Sequence, residues 1–435
     1  AEQRTYAYGV WTQLSLTLEN VRKGTFSFGK RGICLKRGKL ITVFCLISLC
    51  LCGCSVHMED VRTLINGRSS LARNRESGRE DAKDEAAREA IGLSDNELWE
   101  SSRWQDGGFC YDRISEDDRR LYAELYTILM NHAENIKLSS LDADQTDRVF
   151  QYVCDDHPEL FFIDGYSMSK YTSNEEVTAL YFTGKYTKSA EESRLLKEQI
   201  DQYTNRCFEE MPDTWDEYEK AKYIYEYLIL NTEYDTNAPD NQNICSVFLN
   251  GRSVCQGYAK AAQYLLKQAG IECALVSGTV KGGEPHAWNL MKLNGTWCYM
   301  DATWGDASYR GADGESLQMN GINYDYLGAD DEQMNRTHRL VTNLSLPACD
   351  SLENFYFVRE GNYLTERDLS QVEDVFEKAY ENGQESVAIK CGSEDVYAFL
   401  MDELITKQGW VDYLKGSRSI RYVRMDDNLT LICYL

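Results

Sequence analysis

The stretch Arg252-Ser253-Val254-Cys255-Gln256-Gly257-Tyr258-Ala259 decides how this chain is read. From Cys255 onward, Tyr258, Ala261, Ala262, Leu265, Leu266 and Ala269 recur at three- and four-residue spacing. That pattern predicts a helix with one buried face, and Gly270 supplies a left-handed stop. Cys255 therefore falls in the first helical turn. Backbone N–H groups there lack intrahelical partners, and the positive end of the helix dipole favours an anion, so the position suits a thiolate nucleophile.

Downstream, Asn294-Gly295 lies between two alternating runs and predicts a two-residue type I′ turn that pairs Leu293 with Thr296. Counting back along both strands places Trp288 opposite Asp301 and His286 opposite Thr303. His286 and Asp301 then become diagonal neighbours on one face, about 7–8 Å apart along the backbone. A carboxylate that reaches an imidazole fixes its tautomer and stabilises the imidazolium, leaving the other ring nitrogen to take a proton from a thiol. The alternative reading of Asp301 is a strand cap. By the same parity Trp288, Trp297 and Tyr299 share this face, either as pocket walls or as core. Gln256 is a candidate for an oxyanion hole, through its backbone N–H or its side chain, or else plain helix surface.

Three motifs, Val254-Cys255-x-Gly257-Tyr258-Ala259, His286-Ala287-Trp288-Asn289 and Asp301-Ala302-Thr303-Trp304, resemble the transglutaminase-like superfamily of cysteine enzymes. The resemblance covers roughly residues 220 to 306. It implies a papain-like α+β core with Cys255 as nucleophile, His286 as base and Asp301 as orienting acid. It does not fix one reaction, because members crosslink glutamine to amines, hydrolyse amides or peptides, or have lost activity. Gln256-Gly257 stands where animal transglutaminases carry a tryptophan after the cysteine.

The other cysteines and histidines read as structural. Cys245, Cys273 and Cys298 sit in apolar surroundings, while His57, His132, His157 and His338 fall by the apolar leader, on a helix, before a proline and in a polar loop. No cofactor or metal is expected. Asp306, Asp313, Asp325, Asp330 and Asp331 lack EF-hand spacing, and beyond Cys52-Gly53-Cys54 the cysteines show no C-x-x-C pair that suggests zinc. A net charge of −24 repels phosphate backbones and excludes nucleic acid as a partner.

The 435-residue length predicts several domains. Residues 1–54 read as an upstream extension followed by a leader: Lys36, Arg37 and Lys39, the apolar run Leu40 to Cys52, and small residues before Cys54. That ending resembles a bacterial lipobox, which implies export, lipidation of Cys54 and anchoring to the outer face of the cell membrane. Residues 55–105 read as a charged, flexible tether, poor in aromatics from Glu59 to Glu100, in which Asp81 to Ala90 has the composition of a short surface helix with no face to bury. Residues 106–215 form an α-rich lead-in, with helices opened by Ser115, Ser189 and Thr214 and strands at Leu160–Phe162 and Val177–Thr183. Residues 216–350 are the core. Residues 351–435 read as a small α/β appendage: strand Phe355–Val358, helix Leu369–Ala379, strand Ser386–Cys391, helix Asp395–Ile405, and strands Ser419–Val423 and Thr430–Tyr434.

Two functions follow. One is an exported, membrane-anchored thiol enzyme acting on protein, peptide or cell-wall peptide. The other is a cell-surface binding or assembly module with the same fold and an idle triad.

Overall fold

The computed structural model describes residues 2–7, 79–94, 108–306, 321–415 and 419–435. The leader, Cys54, much of the tether and Asp313 lie outside them. Two helices begin where the sequence demands. The Ser115 side chain accepts from the Asp118 N–H ahead of helix Glu116–Met130, and Ser189 with Glu192 forms a complete capping box on helix Ala190–Glu209. The third start moves. Asp216, not Thr214, caps helix Glu217–Asn231, with Glu219 completing the box, since an aspartate adds negative charge at the positive helix end.

The lead-in sheet has order β1-β3-β4-β2, built from β1 (Glu2–Ala7), β2 (Ile136–Lys137), β3 (Ile163–Ser173) and β4 (Glu176–Tyr186). Leu160, Phe161 and Phe162, predicted as a strand, form a turn before β3, and all three are buried rather than alternating. The short surface helix expected from Asp81 to Ala90 is present, and none of its residues is buried. Residues 79–89 form a helix, the Arg88 guanidinium pairs with the buried Glu124 carboxylate, and Leu93 is buried behind it.

A short parallel pair, β5 (Glu233–Tyr234) and β6 (Arg252–Ser253), leads into helix Cys255–Gln268. Gly270 closes that helix at φ 82°, as predicted. The helix lies on an antiparallel sheet of order β10-β9-β8-β7-β11: β7 (Cys273–Val280), β8 (Pro285–Leu293), β9 (Thr296–Met300), β10 (Leu327–Ala329) and β11 (His338–Leu340). The α+β core is thus one helix against one sheet. A single hydrophobic cluster runs from Leu93 to Phe357, so the lead-in and this sheet share their interior.

The C-terminal sheet, of order β12-β13-β15-β14, comprises β12 (Tyr363–Leu364), β13 (Ser386–Cys391), β14 (Tyr422–Met425) and β15 (Thr430–Tyr434). Helices Ser370–Glu381 and Glu394–Met401 pack on it around a second cluster. Residues Phe355–Val358 are not a strand. Phe355, Tyr356 and Phe357 are buried in succession, and the segment coils into helix Tyr356–Glu360, stopped by Gly361 in the left-handed region. The last strand pair starts at Tyr422 rather than Ser419.

Candidate active site

Cys255 is the first residue of its helix, and the residue before it, Val254, offers no side-chain cap. The first-turn N–H groups are therefore left for a ligand, which suits both a thiolate and a developing oxyanion. Gly257 brings this end of the helix close to the preceding loop. A Cβ there would lie 2.0 Å from Ser253 Oγ and 2.9 Å from the Asn241 carbonyl oxygen. Tyr258 ties the same turn down by donating to the Thr232 carbonyl at 2.8 Å and bonding Asp306 Oδ2 at 2.7 Å.

The opposite wall is the hairpin. Asn294 and Gly295 adopt φ 50° and 90°, Leu293 pairs with Thr296, and the predicted register holds as far as Asn289 opposite Met300. Asn289 Nδ2 donates to the Ala259 carbonyl at 2.9 Å, tying β8 to the Cys255 helix. Ala259, Leu275 and Ala287 pack together, and the two alanines let helix and sheet approach. His286 is thereby set against the thiol.

His286 Nε2 donates to Asp301 Oδ2 at 2.7 Å, while Cys255 lies within side-chain hydrogen-bonding reach of the ring, which leaves Nδ1 as the nitrogen facing the sulfur. Cys255, His286 and Asp301 are 9%, 2% and 1% exposed. Burial opposes a charge on His286, but the Asp301 carboxylate, helped by Cys255, outweighs it and holds the imidazolium up to about 10. Burial likewise works against the Asp301 charge, and the two histidines override it, keeping the carboxyl ionised.

Asp301 reaches this position differently from the hairpin count. The ladder ends at Met300, and Asp301 is the N-cap of the short helix Ala302–Gly305, its Oδ1 accepting from the Thr303 and Trp304 N–H groups at 2.9 and 3.1 Å. Thr303 is therefore helical and does not face His286 across a strand pair. One carboxylate oxygen thus caps a helix, not the strand of the alternative reading, and the other accepts from His286 and His338.

Trp288 lines the site, its ring stacked 6.0 Å from His286. Trp297 and Tyr299 do not: Trp297 packs edge-on to Phe109, and the Tyr299 hydroxyl donates to Asp331. Gln256 is buried and, with Lys260 and Ser277, borders a cleft of about 200 Å³ that also touches Asp155 and Asn241. Burial pushes the Asp155 carboxyl up to about 7.

Two residues escaped the sequence reading. Trp304 stands edge-on to His286 with ring centroids 6.1 Å apart. His338, expected in a polar loop, is 1% exposed on β11, and its Nε2 lies 3.0 Å from Asp301 Oδ2. The pairing of β11 with β7 brings it there, and no local periodicity announces so short a strand. Ligand atoms of His286, Asp301 and His338 lie within 4.8 Å of one another. Both nitrogens are at hydrogen-bonding distance from the same Asp301 oxygen.

Residues 208–302 match the family model described as the transglutaminase-like superfamily. Kyphoscoliosis peptidase of Mus musculus is 29% identical over 103 residues, which cover 20% of this chain and 16% of the relative, and that of Homo sapiens gives the same figures. The match thus spans a small part of those relatives' length. A solved crystal structure of a TGase is 16% identical, covering 32% of this chain and 44% of that one, with a TM-score of 0.24. Cys255, Gly257, Tyr258, His286 and Asp301 all fall inside the matched span, so the stretch that is similar to the transglutaminase-like superfamily is the one that carries the candidate site.

Proposed function

We propose that the protein is a cysteine enzyme that attacks a carboxamide or peptide carbonyl through Cys255, forms an acyl-enzyme and passes the acyl group to water or an amine. The observation that carries this reading is the buried chain from Cys255 through His286 to Asp301, with the imidazolium favoured and one ring nitrogen left for the sulfur. In the first step the thiolate sulfur bonds to the carbonyl carbon, and the carbonyl oxygen takes the electron pair. The uncapped N–H groups of the first turn face that oxyanion. His286 then gives its proton to the leaving amine as the C–N bond breaks, and in the second step takes one from water or the incoming amine. The cleft beside Gln256, with amide and charged side chains, suits the polar backbone of a peptide-like substrate. The substrate class we favour is protein, peptide or cell-wall peptide.

The alternative, a surface binding module with an idle triad, draws support from the low exposure of Cys255. Mass spectrometry decides between them. The protein is incubated with a library of peptides and wall fragments, and an acyl adduct on Cys255 is expected, absent in Cys255→Ala. No adduct, together with faster iodoacetamide labelling of Cys245 or Cys298 than of Cys255, sinks the enzyme reading.

A further inference from the structure

The carboxylate that orients His286 is also held by a second imidazole, and that imidazole is wired to the C-terminal domain. His338 Nε2 reaches Asp301 Oδ2 at 3.0 Å, and its Nδ1 lies 2.8 Å from Thr337 Oγ1. Thr337 Oγ1 is 3.3 Å from the Tyr326 hydroxyl, which accepts from Asn428 Nδ2 at 3.0 Å. Every member of this chain is buried. Asn428 lies between β14 and β15, and its carbonyl accepts from Lys390, a fully buried lysine whose ammonium also sits 2.9 Å from Asp325. The anchoring of the C-terminal sheet and the far end of the chain are therefore the same few residues.

The hydrogen-bond directions are forced. An ionised Asp301 only accepts, so His338 must carry its proton on Nε2. A second imidazolium would face that of His286 with ring centroids 5.4 Å apart in a buried site, and burial itself holds His338 neutral. Nδ1 must then accept. Thr337 supplies that proton, takes one from the Tyr326 hydroxyl, and the Tyr326 oxygen is held by the Asn428 amide. Space for the arrangement comes from Gly278 on β7, where a Cβ would lie 2.0 Å from the Arg339 carbonyl oxygen and 2.8 Å from Trp288.

We propose that the C-terminal domain positions the acid of the triad: Asn428, through Tyr326 and Thr337, holds the His338 ring in place at Nδ1, so that its Nε2–H locks the Asp301 carboxylate against His286. His338 is a positioning residue, touching no reacting atom. The inference rests on the enzyme reading above, and it makes the appendage part of the working site rather than a separate binding module.

The test uses the full chain, with iodoacetamide as the probe of Cys255 and ¹⁵N-labelled histidine for NMR. In the parent protein Cys255 should alkylate faster than a free thiol, and the nitrogen shifts should show His338 protonated on Nε2. His338→Leu should slow alkylation about tenfold or more at pH 7, whereas His338→Gln, which keeps a donor near the same place, should restore most of the rate. Asn428→Leu and Tyr326→Phe should each loosen the His338 ring, move its nitrogen shifts and slow Cys255 roughly threefold or more, with thermal unfolding showing that the fold persists. If Cys255 of the parent reacts no faster than a free thiol, the enzyme reading itself falls. If the parent is fast but a folded His338→Leu reacts equally fast, His338 does not position Asp301. If His338→Leu does not fold, the other two variants decide, and unchanged His338 nitrogen shifts and alkylation rate in both overturn the link to the C-terminal domain.

Discussion

At Asp301 one carboxylate serves two structures, because Oδ1 caps helix Ala302–Gly305 and Oδ2 receives His286 and His338. Asp301→Asn keeps the shape but presents an N–H where an acceptor is needed, or gives up the cap, so the imidazole loses its preferred tautomer. Acylation of a reporter substrate should fall by about 10²- to 10⁴-fold with little change in substrate binding. A near-normal rate would reduce the triad to a dyad of Cys255 and His286. The raised affinity of His286 for its proton also carries a stability prediction. Its pKa moves from 6.5 in the unfolded chain to about 10 in the fold, so its stabilisation is complete below 6.5 and is lost as pH rises through 10. The gap in denaturation midpoint between the parent and His286→Gln should therefore narrow steadily from pH 7 to pH 10. A gap that stays constant would show that the proton is not held in the fold.

At the scale of elements, the Cys255 helix and the hairpin meet because Ala259 and Ala287 pack together and Asn289 bonds the Ala259 carbonyl, while Tyr258 ties the helix to Asp306 beyond the hairpin. Gly257 is the sharpest case. In an open helix, glycine to alanine gains up to about 1 kcal/mol of helix propensity. Here the new Cβ would meet Ser253 Oγ at 2.0 Å, and overpacking of this kind costs about 1–3 kcal/mol. Gly257→Ala should lower the thermal midpoint by several degrees and slow alkylation of Cys255. A raised midpoint would show that the loop yields easily and that the close approach is not needed.

For the whole molecule, the lead-in and the β7–β11 sheet share one interior, while the C-terminal domain keeps its own core and docks through buried polar contacts, Lys390 to Asp325 and Thr430 to Asp325 at 2.9 and 2.7 Å. A polar joint of this type holds register well, but it leaves any missing partner exposed to a large desolvation cost. We propose export and anchoring through Cys54 on the strength of the basic, apolar and small-residue succession up to that cysteine. Cys54→Ser should leave the protein unprocessed or release it from membranes on fractionation. Unchanged membrane retention of an unprocessed chain would instead support an uncleaved anchor helix. Among the described residues no helix is long and apolar enough to cross a membrane.

The sequence by itself determined the parts of this protein that depend on neighbours in the chain. The helix that starts at Cys255, the left-handed turn at Asn294-Gly295 and the register that runs back to Asn289 all follow from spacing and turn chemistry within a few residues. Strands Ser386–Cys391 and Thr430–Tyr434 were legible for the same reason. Tertiary structure decided what depends on distant pairing. Met300 ends its strand because Asp301 is drawn into a cap, Phe355 to Phe357 coil because all three rings are buried at once, and the stretch ending at Leu93 packs because Glu124 offers a buried partner to Arg88. His338 shows the limit most clearly. Its surroundings in sequence are those of a polar loop, and only the pairing of β11 with β7 carries it to Asp301, since a three-residue strand takes its place from the sheet it joins and not from its own periodicity.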